Sequence, residues 1–196
     1  MIIGITGGIG TGKSTVLKIL KKEYDFKVYE SDKVAHELMQ TGYPVYEAVV
    51  SEFGKDILDE FLNIDRKKLG AIVFNDKEKL LKINALTHPV VIAEIDKRID
   101  TEMKNGHKDF VIESALLLET DLAEICDKIW YIYSSEEIRI KRLIEGRNMT
   151  REKVAHIMKN QWNEERYKEM CDAVIDNSGD IDDTRTQIDK ILNGYV

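Results

Sequence analysis

Apolar positions fall into two alternating patterns along the chain. Short, nearly continuous runs rich in β-branched or aromatic residues occur at Ile2 to Ile5, Phe26 to Tyr29, Phe110 to Ile112, Ile129 to Tyr133 and Ala173 to Ile175. Runs of that length without polar alternation are expected of strands buried on both faces. The segments between them carry helical spacing and strong helix formers. The alternation predicts an α/β protein with a parallel five-stranded sheet flanked by helices and joined by right-handed crossovers.

One interval breaks the alternation. From about Asp32 to Asn105 only helix-like stretches occur, at Tyr46 to Phe53, Arg66 to Phe74 and Lys77 to Met103. The last is expected to break at His88-Pro89, because proline lacks an N–H and restricts the residue before it. Roughly seventy residues between the second and third strands far exceed the dozen or so that a crossover needs. The reading is a single domain, 1–196, with a core at about 1–32, 106–135 and 171–196. A helical subdomain, about 33–105, is inserted as a wall over the C-terminal edge of the sheet, where open α/β sheets bind ligands. A second helical stretch, Glu136 to about Met170, forms a lid. It carries Arg139, Arg142, Arg147, Arg151 and Arg166, most of them suited to a solvated face with i,i+4 ion pairs.

Composition narrows the function classes. The 196 residues are 43% hydrophobic, enough for one substantial core without disulfides or metal staples. A net charge of −7 argues against holding nucleic acid through a basic surface. The two cysteines, Cys126 and Cys171, form no CxxC or CxxH pair and are expected to be reduced core thiols. The opening MIIGI is too short for a signal peptide, and no run approaches the roughly 20 apolar residues of a membrane helix. A cytoplasmic, reducing location with no membrane partner is expected. No heptad or isolated apolar stripe marks an oligomer interface.

The chemistry begins directly after the first strand pattern. Residues 7 to 14, GGIGTGKS, fit G-x-x-x-x-G-K-[ST], and a helix pattern follows from Thr15. Glycine lets the backbone turn tightly and face a phosphate with its N–H groups, while the helix N-terminus adds partial positive charge. In such a loop Lys13 reaches the β- and γ-phosphates and the Ser14 hydroxyl ligates Mg²⁺. No N-K-x-D guanine motif and no protein-kinase signature follows. The second strand instead ends in Tyr29-Glu30-Ser31-Asp32. Asp32 either caps the helix that begins at Lys33, takes the proton of an attacking hydroxyl, or helps to hold the metal through water. Arg142 is the candidate lid arginine that neutralises a transferring phosphoryl group and excludes water.

Taken together these residues resemble the bacterial dephospho-CoA kinases, and the resemblance runs in order along nearly the whole chain. The family's T-G-G-I-G-[ST]-G-K-S-T loop is Thr6 to Thr15 here. Its strand-two D-x-D is matched by Glu30-Ser31-Asp32, followed by Ala35, His36 and Leu38 at the alanine, basic and apolar positions. Its R-x-x-L-G-x-x-V-F block is similar to Arg66 to Phe74, and its L-N-x-[IL]-[TL]-H-P block to Ile83 to Pro89. Its late Q-x-x-x-x-x-R and A-D-x-V-I-x-N-x-G segments resemble Gln161 to Arg166, one residue shorter, and Cys171 to Gly179.

Three departures stand out. Glu30 replaces the first aspartate, Glu113 to Glu119 lacks the proline of D-x-P-L-L-[FL]-E, and the second lid arginine, Arg147, is displaced by one position, about 100° around a helix. Arg147 still serves if the lid turns at Gly146.

The resemblance implies a P-loop kinase core with an inserted substrate-binding subdomain and a helical lid. It implies ATP on Gly10, Thr11, Gly12, Lys13, Ser14 and Thr15, with Mg²⁺ on Ser14 and adenine near the lid helix and Asn177. It implies dephospho-CoA as acceptor, its 3′-hydroxyl near Asp32 as base and Arg142 closing onto the phosphates. Thr6, His36 and His88 are candidate substrate contacts, although a helical histidine is by default a surface or packing residue. Another small-molecule or nucleoside monophosphate kinase would share the loop and lid, and an ATP-binding regulator would share the loop alone.

Overall fold

The computed structural model describes residues 1–73 and 76–195, so Phe74, at the end of one expected helix, lies outside the described residues. The strands are β1 (Ile2–Thr6), β2 (Lys27–Glu30), β3 (Phe110–Glu113), β4 (Lys128–Tyr133) and β5 (Ala173–Asp176). They form one sheet in the order β2-β3-β1-β4-β5. Strand β1 pairs in parallel with β3 and β4, and β4 pairs in parallel with β5. With β1 at the centre, the chain that follows it emerges at the middle of the C-terminal edge, where parallel sheets bind ligands.

The chain divides into two compact units, Met1–Val28 with His107–Val196, and Tyr29–Gly106. In the first, α1 (Lys13–Glu23) and α9 (Ile181–Asn193) cover the sheet. Val16, Leu17, Ile19, Leu20 and Ile188 form a core with Ile3, Ile5, Val111, Trp130, Ile132 and Ile175. The apolar spacing in α1 puts one face on the sheet. Asp180 starts α9 by accepting the Asp182 and Asp183 amides, each at 2.9 Å.

The stretch expected as one lid is three helices, α6 (Glu136–Arg147), α7 (Arg151–Lys159) and α8 (Glu164–Met170). Gly146 stays inside α6, so the turn there on which a role for Arg147 depended does not occur. The helix stops one residue after Arg147, at Asn148, whose φ of 50° is left-handed. Thr150 and Asn163 then cap α7 and α8 through the Lys153 and Arg166 amides.

The cysteines are free but only half-buried, at the margins of β4 and β5 and not in the core. Burial pushes each thiol up to about 12.

In the second unit, α2 (Ser31–Leu38), α3 (Pro44–Phe53) and α4 (Arg66–Val73) pack on the long α5 (Lys77–Lys104). The expected break at His88-Pro89 is absent: α5 runs through Pro89. Pro89 removes one helical hydrogen bond, a cost of about 3 kcal/mol relative to alanine. Against it stand Ile83, Val91, Ile95 and Ile99, all buried on one face of α5, at roughly 1.5 to 3 kcal/mol each. Tertiary burial therefore outweighs the local penalty. Thr87, one turn after Ile83, also donates its hydroxyl to the Ile83 carbonyl at 2.8 Å.

Candidate active site: the glycine loop and its supports

Residues 7–12 join β1 to α1. Gly10 and Gly12 have φ of +82° and +86°, a region that costs a side chain strain. A Cβ on Gly12 would also overlap the Asn177 amide nitrogen. Helix α1 opens without a side-chain cap and without an acidic residue in its first turn. Its positive end therefore has no counter-charge from α1 itself, which suits an anionic ligand. The Ser14 side chain is exposed there.

Lys13 folds back over the loop. Its Nζ donates to the Gly7 carbonyl at 2.8 Å and lies 3.4 Å from Glu113 Oε1, at the end of β3. The register that sets Ile5 opposite Glu113 delivers that carboxylate to the root of the loop. Thr6 is wholly buried, and its Oγ1 is without a hydrogen-bond partner among the described residues.

The Thr11 carbonyl is a hub. It accepts from Asn177 Nδ2 at 2.8 Å, Ser134 Oγ at 3.1 Å and Arg142 Nη1 at 3.4 Å. Arg142 also donates to Ser134 Oγ at 3.0 Å and to the Asn177 carbonyl at 2.8 Å. Asn177 Oδ1 accepts from Thr184 Oγ1 at 3.0 Å, locking the amide orientation. Arg142 and Asn177, both expected at the nucleotide, thus brace the loop from its own side.

A second brace lies three residues earlier on α6, on the same helix face. Arg139 Nε donates to the Ile9 carbonyl at 2.8 Å, and its Nη2 to Gln161 Oε1 at 2.8 Å. Gln161 Oε1 also accepts the Ile9 amide at 3.0 Å.

In the other unit, Asp32 sits exposed in the first turn of α2. It does not cap the helix: Glu30 occupies that position, without a side-chain hydrogen bond, and instead pairs with Lys33 at 2.7 Å. His36 is exposed one turn after Asp32 and lines a cleft with Met39, Gln40, Thr41, Asn63, Ile64 and Arg66. His88 is half-buried in α5.

Sequence reasoning missed Glu113, Arg139, Ser134 and Gln161 as loop partners. The motifs that resemble the family's contain Glu113 and Gln161, but only strand register and the docking of α6 reveal what they touch. Arg147 is exposed at the end of α6.

Comparison with known proteins agrees with this geometry. Residues 1–183 match the family model described as CoaE, dephospho-CoA kinase. The dephospho-CoA kinase of Carboxydothermus hydrogenoformans is 42% identical over 194 residues, covering 99% of this chain and 94% of that protein. That of Fusobacterium nucleatum is 43% identical, covering 97% and 96%. The solved dephospho-CoA kinase of Campylobacter jejuni superposes with a TM-score of 0.63 at 29% identity, covering 98% and 96%. A shikimate kinase from Acinetobacter baumannii, in complex with shikimate, shares the fold at 16% identity with a TM-score of 0.58, over 100% of this chain and 94% of that one. A glycine loop at the centre of a parallel sheet, its lysine paired to the neighbouring strand, thus lies in a chain that belongs to the dephospho-CoA kinase family.

Proposed function

We propose that the protein phosphorylates the ribose 3′-hydroxyl of dephospho-CoA with ATP, giving coenzyme A and ADP, the last step of coenzyme A synthesis. The observation that carries the donor half is Lys13, poised over the Gly7 carbonyl beside a helix N-terminus without a cap. Family membership over residues 1–183 carries the acceptor half.

Gly10 to Thr15 hold the ATP phosphates, with Lys13 moving from Gly7 and Glu113 onto the β- and γ-oxygens. Mg²⁺ suits the oxygen donors present, the Ser14 hydroxyl and the Glu113 carboxylate, and supplies charge neutralisation when bound. Asp32 takes the proton of the 3′-hydroxyl as its oxygen bonds to the γ-phosphorus and the bond to the ADP oxygen breaks. Its exposed place in α2, with no cap to make, leaves it available for that work. Thr6, His36 and His88 are assigned to acceptor contacts. Asn177 and Arg142 serve the nucleotide by fixing the Thr11 carbonyl. The reaction is assigned to the reducing cytoplasm, without nucleic acid or membrane as partner; among the described residues no helix is long and apolar enough to cross a membrane.

A coupled ADP-release assay tests the reading, with dephospho-CoA as acceptor against CMP, shikimate and gluconate. Turnover with dephospho-CoA alone is expected. Turnover with another acceptor and none with dephospho-CoA would replace the reading with a different small-molecule kinase. ATP binding without turnover on any acceptor would make the protein a nucleotide-binding regulator.

A further inference from the structure

Lys13 and Arg139 both reach the glycine loop, yet they are neutralised differently. Lys13 has a carboxylate, Glu113, at 3.4 Å. Arg139 makes no ion pair among the described residues. Its guanidinium donates to two neutral oxygens, the Ile9 carbonyl and Gln161 Oε1, each at 2.8 Å. It is half-buried, and burial holds it below its usual value, opposed by weaker attraction from Tyr131, Tyr167, Glu136 and Tyr133. A partly desolvated cation without an opposite charge in contact is costly, and proteins usually pair such groups.

The acceptor it does have is unusual. Gln161 Oε1 receives Arg139 Nη2 at 2.8 Å and the Ile9 backbone N–H at 3.0 Å, so an arginine and a loop amide converge on one oxygen. That donor pair is suited to a phosphoryl oxygen. Gly8 lies directly beneath: a Cβ there would meet Arg139 Nη2 and, at 2.7 Å, Gln161 Oε1. The position along the loop is also informative. Phosphates nearest the nucleoside lie over the amides at the start of α1, whereas Lys13, which serves the β- and γ-phosphates, rests at Gly7. Residues 8 and 9 therefore mark the γ-phosphoryl end.

We propose that Arg139 and the Ile9 amide form a binding site for the terminal phosphoryl group of ATP, and that Gln161 is its gate, its amide oxygen exchanging with a phosphoryl oxygen. Arg139 then supplies the charge that the transferring group needs, while Arg142 remains a brace on Thr11 and Asn177. The γ-phosphoryl is the counter-charge that Arg139 lacks. ADP, ending one phosphoryl short, does not open the gate.

The inference rests only on the nucleotide half of the proposed function. Its test is equilibrium binding of ATP and ADP to the full chain with Mg²⁺ and no acceptor, so it stands or falls whatever acceptor is used. Gln161→Glu keeps the shape of the side chain but gives both donors a charged acceptor, strengthening the gate. The ATP Kd is expected to rise about tenfold or more, with the ADP Kd changing less than about twofold. Arg139→Gln should likewise weaken ATP about tenfold and spare ADP. Thermal melting without nucleotide reports whether each variant folds; if Gln161→Glu does not, Arg139→Gln carries the test. Equal weakening of ATP and ADP in the folded variants would show that Arg139 and Gln161 only brace the loop, and unchanged binding of both would equally overturn the proposal.

Discussion

The glycine loop and the helical unit of residues 29–106 solve opposite problems. Around the loop, side chains from α1, α6 and the segments that follow β4, α7 and β5 are committed to backbone atoms of residues 7–11: Lys13 on Gly7, Arg139 and Gln161 on Ile9, and Ser134, Arg142 and Asn177 on Thr11. The residues assigned to the acceptor, Asp32 and His36, instead stand exposed on α2. The loop must hold one shape before any nucleotide arrives, and at Gly10 and Gly12 that shape has a positive φ that glycine alone adopts without strain. Acceptor groups need reach more than rigidity. The contrast teaches where substitutions report on chemistry and where they report on shape.

The largest effects are expected at the residues assigned to the reaction itself. Asp32→Asn should lower kcat by at least about 10²-fold while leaving ATP binding nearly unchanged. Near-full turnover in that variant, read in the ADP-release assay, would remove Asp32 as the base. Lys13→Ala should also cost about 10²-fold or more in kcat, but with weakened ATP binding, since it removes a phosphate donor.

Shape-keeping residues come next. Gly12→Ala combines strain at φ +86° with overlap onto Asn177. It should destabilise the protein by about 1 to 3 kcal/mol in urea denaturation and abolish tight ATP binding. Asn177→Ala removes one donor to Thr11 and one of the two acceptors of the buried Thr184 hydroxyl, leaving it the Asp180 carbonyl at 3.2 Å. A loss of about 1 to 3 kcal/mol is expected, with weakened ATP binding as a consequence. If stability falls while ATP affinity holds, the hub at Thr11 is a matter of folding alone.

The last effect runs the other way and concerns only the helical unit. Pro89→Ala restores a helical donor inside α5 and should raise stability by up to about 3 kcal/mol. A neutral or destabilising result in denaturant would mean that α5 depends on a kink at that residue.

Much of the fold was legible in the sequence, for identifiable reasons. Strands buried on both faces leave uninterrupted apolar runs, and all five were readable to within a residue or two. The loop was readable because phosphate binding constrains residue type at fixed spacing. Pro89 misled because local propensity is a penalty of a few kcal/mol that four buried side chains on the same helix outweigh. Whether the chain turns at Gly146 was not legible, since a lone glycine is tolerated within a helix and the actual stop is the left-handed Asn148.

By itself, then, the sequence determined the sheet, the helices of residues 31–104 and the glycine loop in which Lys13 and Ser14 are the candidate donor-side groups. These depend on periodicity and on contiguous spacing. Tertiary structure decided what surrounds the loop. Glu113 lies 100 positions from Lys13 and Gln161 lies 152 from Ile9. Parallel strand pairing and the docking of α6 bring such residues together, and no local pattern records a contact made across the sheet. That is why composition could not choose among the arginines of this stretch, and why only the folded chain distinguishes Arg139 from Arg142.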